Sequence, residues 1–209
     1  MILVMGLVGF LASALLVATF VVTEPYIEAN LAEYLEQAIN EVLPEAVTRD
    51  TYVIDNDSLR KEDGSAGRRV FATYNADSLL SGIVIEAQGQ GYADVIRIIY
   101  AYSFDCACIV GMKVLESRET PGLGDKIEKD PMFIENFSQL DVRWSPERRE
   151  LEGALELVTR QIKSEAWQID GIAGATISSR AITDILNRSN DIVIPLLYEQ
   201  AHLFEEERR

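Results

Sequence analysis

Histidine occurs once and cysteine twice among the 209 residues, and 19 Lys and Arg face 34 Asp and Glu, for a formal charge of −15. One His and two Cys cannot supply a tetrahedral zinc site in the usual spacings, so no metal ligand set is expected. A Ser-His-Asp hydrolase would have to use His202, which sits in an acidic terminal stretch, and no catalytic triad is assigned. The shortage of basic residues speaks against nucleic acid, whose phosphates need a Lys/Arg face. Internal repeats and low-complexity linkers are also lacking. At 48% hydrophobic and 25% charged, the chain can form a packed core, and wholesale disorder is excluded. The length allows one domain of ordinary size, or one domain plus an appendage.

Charge is missing altogether from Ile2 to Val22. At ~1.5 Å per residue a helix of that length reaches roughly 31 Å, the thickness of a bilayer's hydrocarbon core. Gly6, Gly9, Ala12 and Ser13 interrupt its large apolar side chains, as in membrane helices that approach a neighbour closely. A cleaved signal peptide would carry basic residues ahead of a shorter apolar run and a small-x-small site behind it. Met1 instead leads straight into the run, and Phe20 to Thr23 offer poor cleavage chemistry. Residues 1–23 therefore read as an uncleaved single-pass anchor. No Lys or Arg follows until Arg49, which favours export of the C-terminal part.

Thr23-Glu24-Pro25 opens a second helical pattern, since proline is tolerated in a first turn. Ile27, Leu31, Leu35, Ile39 and Val42 fall on one stripe of it, predicting a juxtamembrane amphipathic helix over 24–44 that ends near Pro44. From Thr51 to Leu115 the period becomes two. Tyr52 to Ile54, Val70 to Tyr74, Gly82 to Ala87, Val95 to Tyr102 and Ala107 to Leu115 are β-prone runs. Turn-prone clusters, Asp55 to Ser58 and Glu62 to Gly67 among them, separate these strands. Helical patterns return at Asp130 to Phe137, Leu151 to Lys163, Ser179 to Asn190 and Ile192 to Glu207. Strands followed by helices without regular alternation predict an α+β domain over 45–209, with a mostly antiparallel sheet and flanking helices.

Two loops carry the candidate chemistry. Glu119-Thr120-Pro121-Gly122-Leu123-Gly124-Asp125-Lys126-Ile127 follows a predicted strand. Its proline and glycines set a backbone that a ligand can approach, and Thr120 and Lys126 could meet a polar or anionic group. It is neither a P-loop nor a G-x-G-x-x-G fingerprint, and taken alone such a stretch is more often a plain turn. Asp170-Gly171-Ile172-Ala173-Gly174-Ala175-Thr176-Ile177-Ser178-Ser179 precedes the helical stripe Ala181, Ile182, Ile185 and Leu186. Small residues clear space around Thr176, and Ser178 or Ser179 can cap the helix. Its N-terminus suits a phosphate, and a capped turn without ligand is the bland alternative.

Together the loops resemble the FMN-binding domain family of the G subunit of the Rnf complex, the ion-translocating ferredoxin:NAD oxidoreductase. The C subunit of the sodium-translocating NADH:quinone reductase is a relative. The family's flavinylation signature runs Asp-x-x-Ser/Thr-Gly-Ala-Thr-x-Ser/Thr. This chain matches it at Asp170, Gly174, Ala175, Thr176 and Ser178 and departs at Ala173, where a hydroxyl is usual. ETPGLGDKI points to the Rnf branch, and the anchor, the stretch NLAEYLEQAINEVLP and GQGYADVI from Gly89 have counterparts there. The resemblance covers about residues 1 to 190.

The resemblance implies FMN held covalently by a phosphoester to Thr176, installed from FAD by a separate flavin transferase. Gly174 and Ala175 would admit that enzyme. Glu119, Thr120 and Leu123 are implied ring or ribityl contacts, with Gly124, Ser178 and Asp170 completing the implied cofactor site. It further implies an electron carrier among the membrane and redox subunits of an Rnf-type complex. That complex sits in the bacterial cytoplasmic membrane with this domain on the extracytoplasmic side. The rivals are the same domain in another respiratory complex, such as the quinone reductase, and a scaffold that has lost flavin. Outside the signature, Cys106 and Cys108 read as core or turn cysteines, since a CxC disulfide is awkward in an extended strand. Trp144 and Trp167 read as core or interface residues.

Overall fold

The computed structural model describes residues 1–55, 58–62, 67–145, 147–159 and 162–206. They form two compact units, residues 1–37 and 38–209. Helix α1, Ile2–Val42, runs through Pro25 without a break. The expected second start at Thr23 is therefore corrected. Proline removes one helical hydrogen bond, but the Glu-, Ala- and Leu-rich residues after it are good helix formers and carry the helix on. Among the described residues α1 is the one helix long and apolar enough to cross a membrane, with mean hydropathy 2.4 over its most apolar stretch. The predicted stripe is also shorter than expected: Ile27 and Leu31 are exposed, whereas Ala38, Ile39, Val42 and Leu43 are buried.

Seven strands follow in one antiparallel sheet of order β2-β1-β3-β4-β5-β6-β7. They are β1 Thr48–Asp55, β2 Ser58–Lys61, β3 Arg68–Tyr74, β4 Leu80–Gln90, β5 Val95–Ser103, β6 Cys108–Glu116 and β7 Leu140–Asp141. The short helix α2, Pro131–Glu135, lies between β6 and β7 in the chain, within the helical pattern expected from Asp130. β-branched residues cluster in the middle of β4 and through β5, and successive side chains point to opposite sides, which gives the sheet two buried faces. Tyr52, Val70, Ile83, Ile85, Ile98 and Tyr100 face one core, where Ile182, Ile185, Leu186 and Val193 cover them. These four belong to α3, Thr176–Glu199. Gly89 permits that close packing, because a Cβ there would stand 2.6 Å from Ile185 Cγ1. Buried Val53, Phe71, Val84 and Ile99 belong to the other face. On it Gly111 and Gly82 lie against Val42 and Leu43 at the end of α1.

Burial pushes the Tyr100 and Tyr102 phenols far above their ordinary value and keeps them protonated. Each is paired: Tyr100 donates to Ser189 Oγ at 2.8 Å, and Tyr102 shares a 2.9 Å hydrogen bond with Tyr198. Trp144 stacks on Tyr198 with ring centres 4.4 Å apart, and Arg143 lies over Trp167 at 4.6 Å.

Three helix expectations are corrected. Leu151 to Lys163 is not helical where described. It contributes β9, Glu150–Leu151, and β10, Glu156–Val158. β9 pairs with β8, Trp144–Ser145, and β10 pairs in parallel with β11, Gln168–Asp170. Gly153 breaks the apparent stripe, and Val158-Thr159 are β-branched. Helix α3 also begins earlier than Ser179 and absorbs the start of the last predicted helix, passing through Pro195. Only α4, His202–Glu206, remains separate. The turn-prone residues 56–57 and 63–66 lie outside the described residues, as do 160–161.

Cys106 and Cys108 form a disulfide, which corrects their reading as thiols. The segment between β5 and β6 is a turn rather than an extended strand. Ala107 takes a positive φ of 50°, and the Cα atoms come to 5.1 Å, inside the bridging range.

Candidate functional site

The two loops meet at the N-terminus of α3, far along the chain from β6 but adjacent to its end. Thr120, Leu123, Gly124, Gly174, Ala175 and Thr176 line one cavity of about 370 Å3, together with Glu119, Ser178, Tyr92 and Ile177. Eight of the nine sequence candidates are thus brought together. Asp170 is the ninth, and it is not on this wall. Its carboxylate accepts hydrogen bonds from the backbone N–H groups of Ile162 and Lys163, at 3.2 and 3.1 Å. Its own N–H donates to Asn136 Oδ1 at 2.9 Å. Asp170 therefore fastens the loop that leads into the site. Burial pulls the neighbouring Lys163 ammonium below its ordinary value, with Asp170 opposing that shift.

Glu119 is the organiser. It is 5% exposed, and both carboxylate oxygens are used. The Ala93 N–H donates to Oε1 at 3.0 Å and the Ser178 hydroxyl to Oε2 at 2.5 Å. One side chain thus ties the β4–β5 turn, its own loop and the first turn of α3. Two glycines make room for it: a Cβ at Gly91 or Gly124 would fall 2.5 or 2.6 Å from its oxygens. Lys126 does not line the cavity. Beside it, a hydrogen bond from Lys129 at 2.6 Å holds the Asp125 carboxyl below the usual range and braces the 3-10 turn Gly124–Glu128.

The serines behave differently from their predicted capping role. Helix α3 starts at Thr176 behind an Ala175 N-cap that makes no side-chain hydrogen bond. Ser178 serves Glu119 instead. Ser179 Oγ accepts from the Ile172 N–H at 3.1 Å and donates to the Ala175 carbonyl at 3.0 Å, which folds the Gly-rich loop under the helix. Gly174, at φ 82°, makes the turn into it. Thr176 is left exposed, and among the described residues its hydroxyl has no hydrogen-bond partner. Tyr92 and Ile177 were not legible as site residues. Their signal is exposure: Tyr92 is 65%, Ile177 58% and Leu123 51% exposed around one cavity.

A polar floor, an apolar rim and, among the described residues, a hydroxyl without a partner at a helix N-terminus could seat a phosphorylated aromatic ligand. Residues 91–190, which hold every one of these side chains, match the family model described as FMN-binding domain. The chain as a whole is similar to the G subunits of ion-translocating oxidoreductase complexes. It is 28% identical to the G subunit from Methanosarcina acetivorans over 189 residues, 90% of each chain. It is 29% identical to the G subunit from Cereibacter sphaeroides over 194 residues, covering 89% of this chain and 80% of that one. Among solved structures, Shewanella oneidensis NqrC superposes with a TM-score of 0.60 at 17% identity, over 77% of this chain and 86% of that one. The C subunit of the Na(+)-translocating NADH-quinone reductase from Parabacteroides distasonis gives 0.59 at 24% identity, over 74% and 79%. These two establish the fold.

Proposed function

We propose that this chain is the membrane-anchored flavoprotein subunit, of the G type, of an Rnf-like ion-translocating oxidoreductase. It carries FMN as a phosphoester on Thr176 and relays electrons between redox centres of neighbouring subunits. The observation that carries this reading is the Thr176 hydroxyl, without a partner among the described residues, at the head of α3 and on the wall of the cavity that both motifs build. The cavity fits the group: about 370 Å3 lies within the range of small-ligand seats, and Gly174 and Gly124 keep its floor free of side-chain bulk. When bound, FMN supplies reversible acceptance of one or two electrons. The chain's part is to position it. Glu119 braces the pocket, Leu123, Tyr92 and Ile177 offer apolar surface, and α1 holds the domain to the membrane.

A flavin transferase is the implied partner for maturation. In that maturation the Thr176 hydroxyl would accept the FMN phosphoryl group of FAD as an Oγ1–P ester, with AMP as the leaving group from the broken pyrophosphate bond and the hydroxyl proton passing to solvent. The Cys106–Cys108 disulfide supports an extracytoplasmic domain, since disulfides persist in oxidising compartments.

The test is co-production of the full chain with a flavin transferase, followed by ultraviolet in-gel fluorescence of the denatured protein. Mass spectrometry of the tryptic peptide Ser164 to Arg180 follows. We expect a fluorescent band and one FMN phosphoester on Thr176. A non-fluorescent band, or a Thr176→Ala chain that still fluoresces, rejects the assignment.

A further inference from the structure

Thr176 stands on the wall of two cavities. The second, of about 160 Å3, is lined by Val158, Thr159, Gly171, Ala173 and Arg180 among others. We propose that the FMN is divided between them: the isoalloxazine ring occupies the larger cavity, and Arg180 beside the smaller one is the counter-charge of the phosphodiester. This inference rests on FMN attachment at Thr176.

Size decides the first half. Seats for ring-sized ligands begin near roughly 300 Å3, so the smaller cavity takes a phosphate but not a tricyclic ring. Charge decides the second. The larger cavity contains the buried Glu119 carboxylate, whose two hydrogen-bond donors are a backbone amide and a hydroxyl rather than a cation. An anionic phosphate would meet like charge there. The smaller cavity is lined by Arg180, one turn after Thr176 on the same helix face. Among the described residues Arg180 forms no ion pair and no hydrogen bond. A guanidinium presents a planar fork of donors that matches phosphate oxygens. The first N–H groups of α3 add a favourable dipole, since Ala175 caps none of them. Ala173 brings no hydroxyl to this wall, so Thr159 and Arg180 are its side-chain donors besides Thr176 itself.

The full-length chain, co-produced with a flavin transferase, is compared as wild type, Thr176→Ala, Arg180→Gln, Arg180→Lys and, as a control further along α3, Arg188→Gln. Fluorescence per unit protein is read from denaturing gels. Arg180→Gln is expected to lose about tenfold in attached flavin, the order of one charge-assisted phosphate contact. Arg180→Lys should recover most of it, and Arg188→Gln should match wild type. The attached chains are then examined by 31P NMR, where a phosphodiester losing its guanidinium must change its resonance position. A phosphorus signal unchanged in Arg180→Gln overturns the proposal whatever the yield, and reassigns any loss to docking of the transferase. If Arg180→Gln carries too little flavin for NMR, an Arg180→Lys chain no better than Arg180→Gln overturns it equally. A wild-type chain without flavin, or a Thr176→Ala chain with it, rejects the attachment site instead, so the two failures are distinct. Arg180 is exposed, and unchanged thermal unfolding of its variants verifies the fold.

Discussion

At the scale of single residues, the site depends on a carboxylate that the family resemblance implies as a ligand contact and the structure spends inside the protein. Both oxygens of Glu119 are occupied by donors from other segments. Removing the side chain leaves the Ala93 amide and the Ser178 hydroxyl without partners in a largely buried place. Glu119→Ala should therefore lower stability by about 1–3 kcal/mol, read as a reduced urea midpoint of the detergent-solubilised chain. Glu119→Gln should cost less, because its carbonyl can still serve Ala93 while the Ser178 hydroxyl turns to accept. Ser178→Ala combined with Glu119→Ala should cost less than the sum of the two single changes, the mark of a direct contact. A Glu119→Ala chain as stable as wild type would remove Glu119 from its bracing role. At Gly124 steric contact predicts the same dependence from the other side. A Cβ there would stand 2.6 Å from Glu119 Oε2 and 2.9 Å from Ser178 Oγ, so Gly124→Val should displace the brace and reduce attached flavin severalfold, measured by in-gel fluorescence.

Elements were legible wherever one local period controlled them. The five long strands carry near-continuous apolar runs where both faces of their sheet are covered, and each was readable within a few residues from side-chain chemistry alone. Thr120, Thr176 and their neighbours were legible as two motifs, but not their meeting, which depends on the antiparallel path of β4, β5 and β6. The elements that misled lack such control. Leu151 and Leu155 sit four apart like a helix face, yet Gly153 and pairing with β8 and β11 decide the backbone. Pro25 reads as a first-turn residue, yet a single lost hydrogen bond costs less than ending an otherwise favourable helix, and the gap read after Asn190 is likewise spanned by α3. The predicted edge at Pro44 hides where the folded unit begins. Ala38, Ile39, Val42 and Leu43 are buried in it, at about 1.5–3 kcal/mol for each fully buried large side chain. A chain starting at Ala38 should therefore unfold cooperatively in solution. One starting at Glu45 should lose several kcal/mol, seen as a much lower midpoint or aggregation. Equal midpoints for the two would show that the end of α1 adds nothing to the sheet. Gly111→Val tests the same contact within the full chain, since any side chain there meets the Val42 backbone. A loss of about 1–3 kcal/mol is expected from overpacking.

For the whole molecule, charge and redox chemistry separate along the chain. Every one of the 34 acidic and 19 basic residues follows the apolar run Ile2–Val22, so the entire excess of −15 belongs to the part beyond the anchor. That part also carries the disulfide, whose exposed partner Cys106 lies in the β5–β6 turn. A bridge across so short a loop gains little entropy, on the order of 1–2 kcal/mol, and cytosolic thiols, reaching it at the exposed Cys106, would keep the pair reduced. Its oxidation state in the cell therefore reports the side of the membrane. Cells producing the full chain are quenched in acid and alkylated with a maleimide under denaturing conditions, before and after reduction. With the domain outside, the chain gains no maleimide before reduction and two adducts after it, one for each cysteine. Two adducts already present before reduction would put the domain on the reducing side and remove the disulfide's support for an exported flavin. Cys106→Ser separates this marker from the cofactor. The turn lies at the opposite end of β5 from the Thr176 cavity, and the variant should keep wild-type flavin fluorescence while losing only that small increment of stability.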